Sequence, residues 1–570
     1  MSSRDRDPEE MKKVPTERPR RDKTAVTQAL FAALSPIGVV IGAALFAMSL
    51  TPSMVPRGSE IQGALGGIVF AIGYGAWVVA MAAARWLEIH RGAPLRPGWR
   101  RAAFVGAALL CGLSLWQGAD WQNSIRQAWN LPEIDGVAPY RIAVIAAAVF
   151  AVLLMGGRLF RSVAAGWRRR AARFLPSRVA QAAGLMLTFV LFWAVIDGIA
   201  FRFAVRTINN ASRIADLVIP PDLAPPTDPA LSGSAASLIA WEDLGRWGRR
   251  YVASGPSREE IQSFWGTPAK QPIRVYVGLT AAGSGADRAR LAFEELKRVG
   301  GFDRKYLVIA TPTGSGWLDP GGVDTLEYIT RGDVATVGVQ YSYLSSPMSV
   351  IVDPENGIEE SRTLFDLVYG HWSSLPKETR PRLYLHGLSL GAFLSQETVP
   401  LLNMFGDPFQ GALWTGSPFL SDFWRMVQDR RRPDSPAWRP KFGNGSLVRT
   451  ASQDGGLDPF DADWGPIRLV LLQYGGDPIV FFDYSLAWKR PDWLRGERAP
   501  DLAPDMRWIP VVSLLQDGFD MAVAVGTLGF GHDYIARHYI PAWAETLDPE
   551  GWSPEIEARL IEHLKDLLPR

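Results

Sequence analysis

The sequence predicts two unlike halves: an α-helical bundle of about five membrane spans, followed by a mainly parallel sheet with helices on both faces. Three observations carry this. Five long apolar stretches without charged residues lie before residue 200. From residue 273 onward, short β-branched or aromatic runs alternate with helix-like segments. One Gly-x-Ser-x-Gly pentapeptide stands between such a strand and such a helix.

Composition narrows the classes first. At about 150 residues per domain, 570 residues would make three or four domains. The apolar set makes up 47% of the chain and charged residues 21%, which excludes global disorder. With 60 basic against 58 acidic residues the net charge is +2, so no general polyanion-binding surface is expected and nucleic acid is not an expected partner. The single cysteine, Cys111, can form neither an internal disulfide nor a thiolate metal cage.

Residues 1–23 read as a charged cytoplasmic tail, and 24–206 as a transmembrane domain with spans near 26–50, 61–84, 102–119, 141–160 and 179–200. A helix needs about 20 apolar residues to cross roughly 30 Å of hydrocarbon. The first two stretches exceed this; the fourth is the shortest and needs Tyr140, Leu159 and Phe160 to reach it. The first stretch is too long for the apolar region of a removable signal peptide, and it follows 23 charged, proline-containing residues. Gly38 with Gly42, and Gly63 with Gly67, have the spacing that permits close helix packing. Asp197, at the end of the fifth span, reads as an interfacial carboxylate, with an intramembrane functional acid as the other reading.

Excess Lys and Arg mark the cytoplasmic side. The first 23 residues hold eight basic side chains, segment 85–101 holds five arginines against Glu88, and segment 158–178 holds seven arginines and no acid. These three segments are expected inside, and five crossings then place everything after about residue 206 outside the cytoplasm.

Residues 207–272 read as a connector, with prolines between Pro220 and Pro229 and a helix opened by the capping box Ser257–Glu260. Residues 273–570 read as one catalytic domain. Its expected strands are Ile273–Gly278, Tyr306–Ala310, Thr336–Tyr341, Leu383–His386, Gly411–Thr415 and Leu469–Gln473, with helices such as Ala286–Val299, Leu364–Ser373 and Ala392–Asn403 between them. An insertion near 417–466, rich in Trp and Arg (Trp424, Arg430, Arg431, Arg432, Trp438, Trp464), has two readings: a lid over a lipid substrate, or a surface excursion carrying ordinary core tryptophans.

The pentapeptide carries the chemistry. Gly387-Leu388-Ser389-Leu390-Gly391 follows a strand and opens an apolar helix, the context of a sharp turn that projects a serine hydroxyl; Gly387 and Gly391 let strand and helix approach. A serine hydroxyl needs a base. Downstream lie His532, His538 and His563; His532, in the glycine loop Gly529–Asp533, is the expected base and His538 the reserve. Asp477, after a strand, is the expected orienting acid, with Asp483, Asp517 and Asp520 as competitors. The oxyanion would be bound by the backbone N–H of Leu390 and by a second donor from the glycine-rich loop after an earlier strand, at Thr313 and Gly314. No phosphate-loop, dinucleotide or zinc motif occurs, so no nucleotide, cofactor or metal is expected.

With these residues in place, the chain resembles a bacterial membrane-anchored α/β-hydrolase family, whose members join a multi-span amino-terminal region to a carboxyl-terminal hydrolase domain. The likeness runs from about residue 30 to 535. It is carried most specifically by Pro272–Gly278, Thr311–Trp317, Gln340–Leu344, the serine motif, Asp477–Val480, Met506–Pro510 and Gly531–Tyr534. It implies an α/β-hydrolase fold with Ser389, Asp477 and His532 as a catalytic triad, in a multi-pass protein of the bacterial inner membrane. Leu388 stands where an acidic residue is common in the family. The expected function is a serine hydrolase acting on carboxylic esters, with lipid-like or acylated envelope substrates. An acyltransferase using the same acyl-enzyme and a non-catalytic scaffold on this fold are the alternatives. The amino-terminal half is expected to act as an anchor alone, and no oligomeric state is readable.

Overall fold

The structure is a computed structural model that describes residues 34–89, 96–352, 354–399, 406–457 and 460–565. The charged tail, the first part of the first expected span and Arg91 lie outside the described residues.

Helix α1 (Pro36–Ser49) is the described part of that first span; Pro36 opens it, and the Ser35 hydroxyl accepts the Gly38 N–H. Among the described residues four further helices are long and apolar enough to cross a membrane: α2 (Ser59–Trp86), a run over Pro97–Ala128 that begins with α3 (Pro97–Trp116), α4 (Pro139–Ala171), and a run over Ser177–Leu217 that begins with α5 (Ser177–Val195). The fourth stretch, shortest in the sequence, belongs to a helix of 33 residues, because Pro139 starts it early and the chain stays helical through Arg168, Arg169 and Arg170. The last run passes through a π-helical turn at Ile196–Phe201, which contains Asp197, and continues to Leu217 inside the segment read as connector. Close packing does occur at the small residues: a Cβ on Gly67 would stand 2.7 Å from the Ala146 carbonyl of α4.

The capping box at Ser257 and Glu260 is present. Beyond it, seven strands form one parallel sheet in the order β1-β3-β2-β4-β5-β7-β6, where β1 is Ile273–Val277, β2 Tyr306–Thr311, β3 Val334–Val339, β4 Arg382–Leu388, β5 Gly411–Thr415, β6 Val448–Ala451 and β7 Arg468–Leu472. The strands are buried on both faces, as a parallel sheet covered by helices requires. Six strands stand where the sequence placed them. The seventh, β6, lies inside the expected insertion and pairs with β7 at the sheet edge. Four residues with a central arginine give too short a pattern to read as a strand. In the same insertion Trp424 and Trp438 are buried in the core, so the core reading holds for these two.

The two halves share a core. Met54 and Val55 of the α1–α2 loop, and Ile125 and Trp129 after α3, belong to the cluster that also holds β-sheet residues such as Val275, Ile309 and Leu471. At the opposite end of the helices Arg178 pairs with Glu88 at 2.8 Å.

Candidate active site

Strand β4 ends at Leu388, and α6 (Leu390–Thr398) begins two residues later. Ser389 fills the corner with φ 58° and ψ −125°, a left-handed conformation costly for a residue with a Cβ. The turn closes because Gly387 and Gly391 have no side chains: a Cβ on Gly391 would stand 2.2 Å from the Thr311 carbonyl at the end of β2. The Ser389 N–H donates to the Thr415 carbonyl at 2.9 Å, tying the corner to the end of β5. This is the carboxyl edge of the sheet, where α/β folds place their ligands.

Asp477 follows β7 and is fully buried. Its Oδ1 accepts the Ile479 N–H at 2.9 Å, and its Oδ2 lies 2.6 Å from His532 Nδ1 and accepts the Tyr534 hydroxyl at 2.9 Å. A carboxylate at Nδ1 fixes the neutral imidazole in the tautomer that carries its proton there, which leaves Nε2 as an acceptor. Nε2 is buried and has no partner among the described residues. The His532 ring lies over Gly416, whose Cβ position would be 2.7 Å from His532 Cε1. Gly416 follows the Thr415 that holds Ser389. Ser389 and the Asp477–His532 pair thus meet the neighbouring residues Thr415 and Gly416, with Ser389 6% and His532 7% exposed, and His532 Nε2 makes no hydrogen bond to Ser389.

The competing residues go elsewhere. His538 Nδ1 meets the Tyr474 hydroxyl at 2.6 Å, and burial lowers its pKa to about 4. His563 sits against Phe264 and Tyr328. Asp483 caps the Ser485 N–H at the surface. Asp520 accepts the Met54 and Val55 N–H groups at 3.0 and 3.4 Å and faces Arg57 at 3.3 Å, both side chains being fully buried. Burial pushes the Asp520 carboxyl up against the pull of Arg57. Neither oxygen of Asp517 has a hydrogen-bond partner among the described residues, and burial beside Asp520 and Asp477 raises its pKa well above the usual range.

Of the expected oxyanion donors, Thr313 N–H is engaged by the Trp317 carbonyl at 2.9 Å, and Gly314 N–H by the Ser346 hydroxyl at 3.1 Å. No group of three His, Cys, Asp or Glu side chains among the described residues could hold a metal ion.

Residues of the amino-terminal half that sequence reasoning did not single out border this site. The Trp129 ring also closes on Gly531, whose Cβ position would be 3.2 Å from it, and its Nε1–H donates to the Asp501 carbonyl at 3.0 Å. The Asp501 carboxylate accepts the Gly476 N–H, next to Asp477, at 2.8 Å. Gln516 donates to the Thr51 carbonyl at 2.9 Å, and Ser124 to Asp505. No local pattern announces the contacts between the two halves, because Trp129–Asp501, Ser124–Asp505 and Gln516–Thr51 each join residues more than 370 positions apart.

Residues 273–560, just over half of the chain, match the Alpha/beta-hydrolase family, and residues 50–256 match the Alpha/beta-hydrolase family N-terminus. No curated protein matches, and no solved structure does. The chain belongs to the Alpha/beta-hydrolase family.

Proposed function

We propose that this member of the α/β-hydrolase family is a membrane-anchored serine hydrolase that cleaves carboxylic esters through an acyl-enzyme on Ser389. The observation that carries the reading is the His532 imidazole, fixed at Nδ1 by Asp477 at 2.6 Å and unpartnered at Nε2, over Gly416, which follows the Thr415 that holds the strained Ser389.

In this reading Ser389 Oγ attacks the acyl carbonyl while its proton passes to His532 Nε2. Asp477 stabilises the imidazolium that forms, and Tyr534 and the Ile479 N–H hold the carboxylate in place. The carbonyl oxygen becomes an oxyanion in front of the Leu390 N–H. Gly314 is the better second donor of the two expected, since its present partner is a rotatable hydroxyl whereas Thr313 is locked to a carbonyl. Collapse expels the alcohol, which takes the proton from His532, and water then releases the acid by the same steps. The arginine-rich segments support five crossings with the hydrolase domain outside the cytoplasm.

The test is a fluorophosphonate, which labels only an activated serine. The full-length chain in detergent should label at Ser389, and Ser389→Ala should lose both label and ester hydrolysis while staying folded. Labelling of the alanine variant at the wild-type rate would sink the assignment.

A further inference from the structure

We propose that α2, α4 and α5 form a binding site for one anionic glycerophospholipid, with an acyl chain in the trough between them and the phosphate at Arg161. The site goes beyond the ester chemistry of Ser389 and requires only that these helices cross a bilayer.

A trough of about 600 Å³ lies between the three helices, within the size range of small-ligand sites. Its wall extends from Ala71 to Trp86 on α2 and from Phe150 to Arg161 on α4, and α5 closes it with Gln181 and Leu185. Ala71 and Ala82 are about 17 Å apart along the axis at 1.5 Å per residue. Between them Tyr74 is the one α2 wall residue with a polar side chain, and its hydroxyl accepts the Ser35 N–H at 3.4 Å. That length is close to one leaflet, half of roughly 30 Å of hydrocarbon.

The glycines of these helices do two different things. A Cβ on Gly63 would stand 2.8 Å from Ile145, and one on Gly67 2.7 Å from the Ala146 carbonyl, so both serve the packing of α2 on α4. Gly75 and Gly157 lie in the trough wall, and a Cβ on either would meet nothing within 4 Å. Their missing side chains widen a space that no described residue fills. A wall this apolar holds no water, and an acyl chain gains the dispersion contacts that an empty trough forfeits.

Toward the carboxyl end of α2 the wall gains polar groups, with Trp86, Arg161 and Gln181. Among the described residues neither Arg161 nor Gln181 has a side-chain hydrogen bond or ion pair. Glu88 is taken by Arg178, and segment 158–178 holds seven arginines and no acid. An unpaired guanidinium in such surroundings calls for an anion, and a phosphate diester matches its planar fork of donors. The Gln181 amide and the Trp86 indole N–H can donate to the glycerol ester carbonyls. Basic pockets between membrane helices are where anionic headgroups settle.

At this end α2 and α5 are joined by the exposed Arg178–Glu88 pair and by the Arg178 guanidinium 6.0 Å from the centre of the Trp86 ring, contacts of small worth in water. A lipid seated between the helices ties α5 to α2, so its binding raises the unfolding midpoint.

The test titrates the full-length chain in dodecyl maltoside with dioleoyl phosphatidylglycerol or dioleoyl phosphatidylcholine at equal mole fraction and follows thermal unfolding. Phosphatidylglycerol should raise the midpoint more. Arg161→Gln should weaken phosphatidylglycerol about tenfold or more and remove its advantage, while Arg169→Gln, outside the trough, should keep it. Gly75→Leu with Gly157→Leu fills the trough and removes two helix-weakening glycines, so the lipid-free midpoint should not fall while the response to both lipids is lost. Equal gains from the two lipids in the wild type, or an advantage that survives Arg161→Gln, would overturn the anionic site. A response that survives the filled trough would overturn the acyl-chain seat, and an equal gain from glycerol 3-phosphate alone would overturn the lipid. A smaller particle for the filled variant would show that a second copy of the chain occupies the trough instead.

Discussion

The indole of Trp129 stacks on the ring of Phe530 with centroids 5.3 Å apart and planes 14° from parallel, so a residue between two helical runs long and apolar enough to cross a membrane braces the loop that carries His532. A brace of this kind acts on reaction rate as well as on stability, because a base displaced by about 1 Å can cost about a hundredfold. Trp129→Ala should destabilise the chain by about 3–5 kcal/mol and slow fluorophosphonate labelling. Trp129→Phe should recover much of the stability while losing the bond to the Asp501 carbonyl. Labelling of the folded alanine variant at the wild-type rate would show that the contact is structural only.

The same contacts change the outcome expected of a truncated chain. The sequence alone favours an anchor whose removal spares the hydrolase. With Met54, Val55, Ile125 and Trp129 in the shared core, a chain starting at residue 207 should expose that surface and aggregate, or fail to label. A soluble, monodisperse and labelled product would restore the anchor reading.

Two buried acids three residues apart should behave oppositely. Asp520 holds Arg57 and two backbone N–H groups, so Asp520→Ala leaves a buried guanidinium without its counter-charge, at a cost of about 3–5 kcal/mol. Asp517, whose burial favours the neutral form, should tolerate Asn within about 1 kcal/mol. Thermal unfolding of both variants checks the pair, and equal losses would contradict it.

Burial raises the Asp501 pKa to about 6, above the ordinary aspartate value. A raised carboxyl favours the folded state at low pH, and that contribution is lost as pH rises through about 6. Asp501→Asn removes the titration. Its stability relative to wild type should rise by about 1–3 kcal/mol between pH 5 and pH 8, since each tenfold change in proton affinity is worth about 1.36 kcal/mol. A pH series of unfolding midpoints measures this, and a flat difference would count against it.

His532→Ala should slow acylation by about 10⁴-fold or more, since triad members act as a unit. His538→Ala should cost only the Tyr474 hydrogen bond, about 1 kcal/mol, and leave most labelling. The reverse ranking would move the role of base to His538.

Much of this architecture was legible because it is local. The turn at Ser389 needs two glycines at fixed spacing, and alternation of short apolar runs with helical segments survives in any window of the sequence. The pairing of Asp477 with His532 was readable only as an order along the chain, since Asp483, Asp517 and Asp520 have similar local settings. What could not be read are contacts whose partners lie hundreds of residues away. Nothing around Trp129 distinguishes a core tryptophan from an interfacial one, and Arg57 looks like a loop charge until Asp520 is placed beside it.

The bond from the Met54 N–H to Asp520, spanning 466 positions, sets an order of events during synthesis. At about 5–20 residues per second, roughly 20–90 s separate the emergence of the first loop from that of its partner. Throughout that interval Arg57 and the neighbouring amides lack their partner Asp520. This contact therefore forms only after helix α7 (Val512–Met521) has been made.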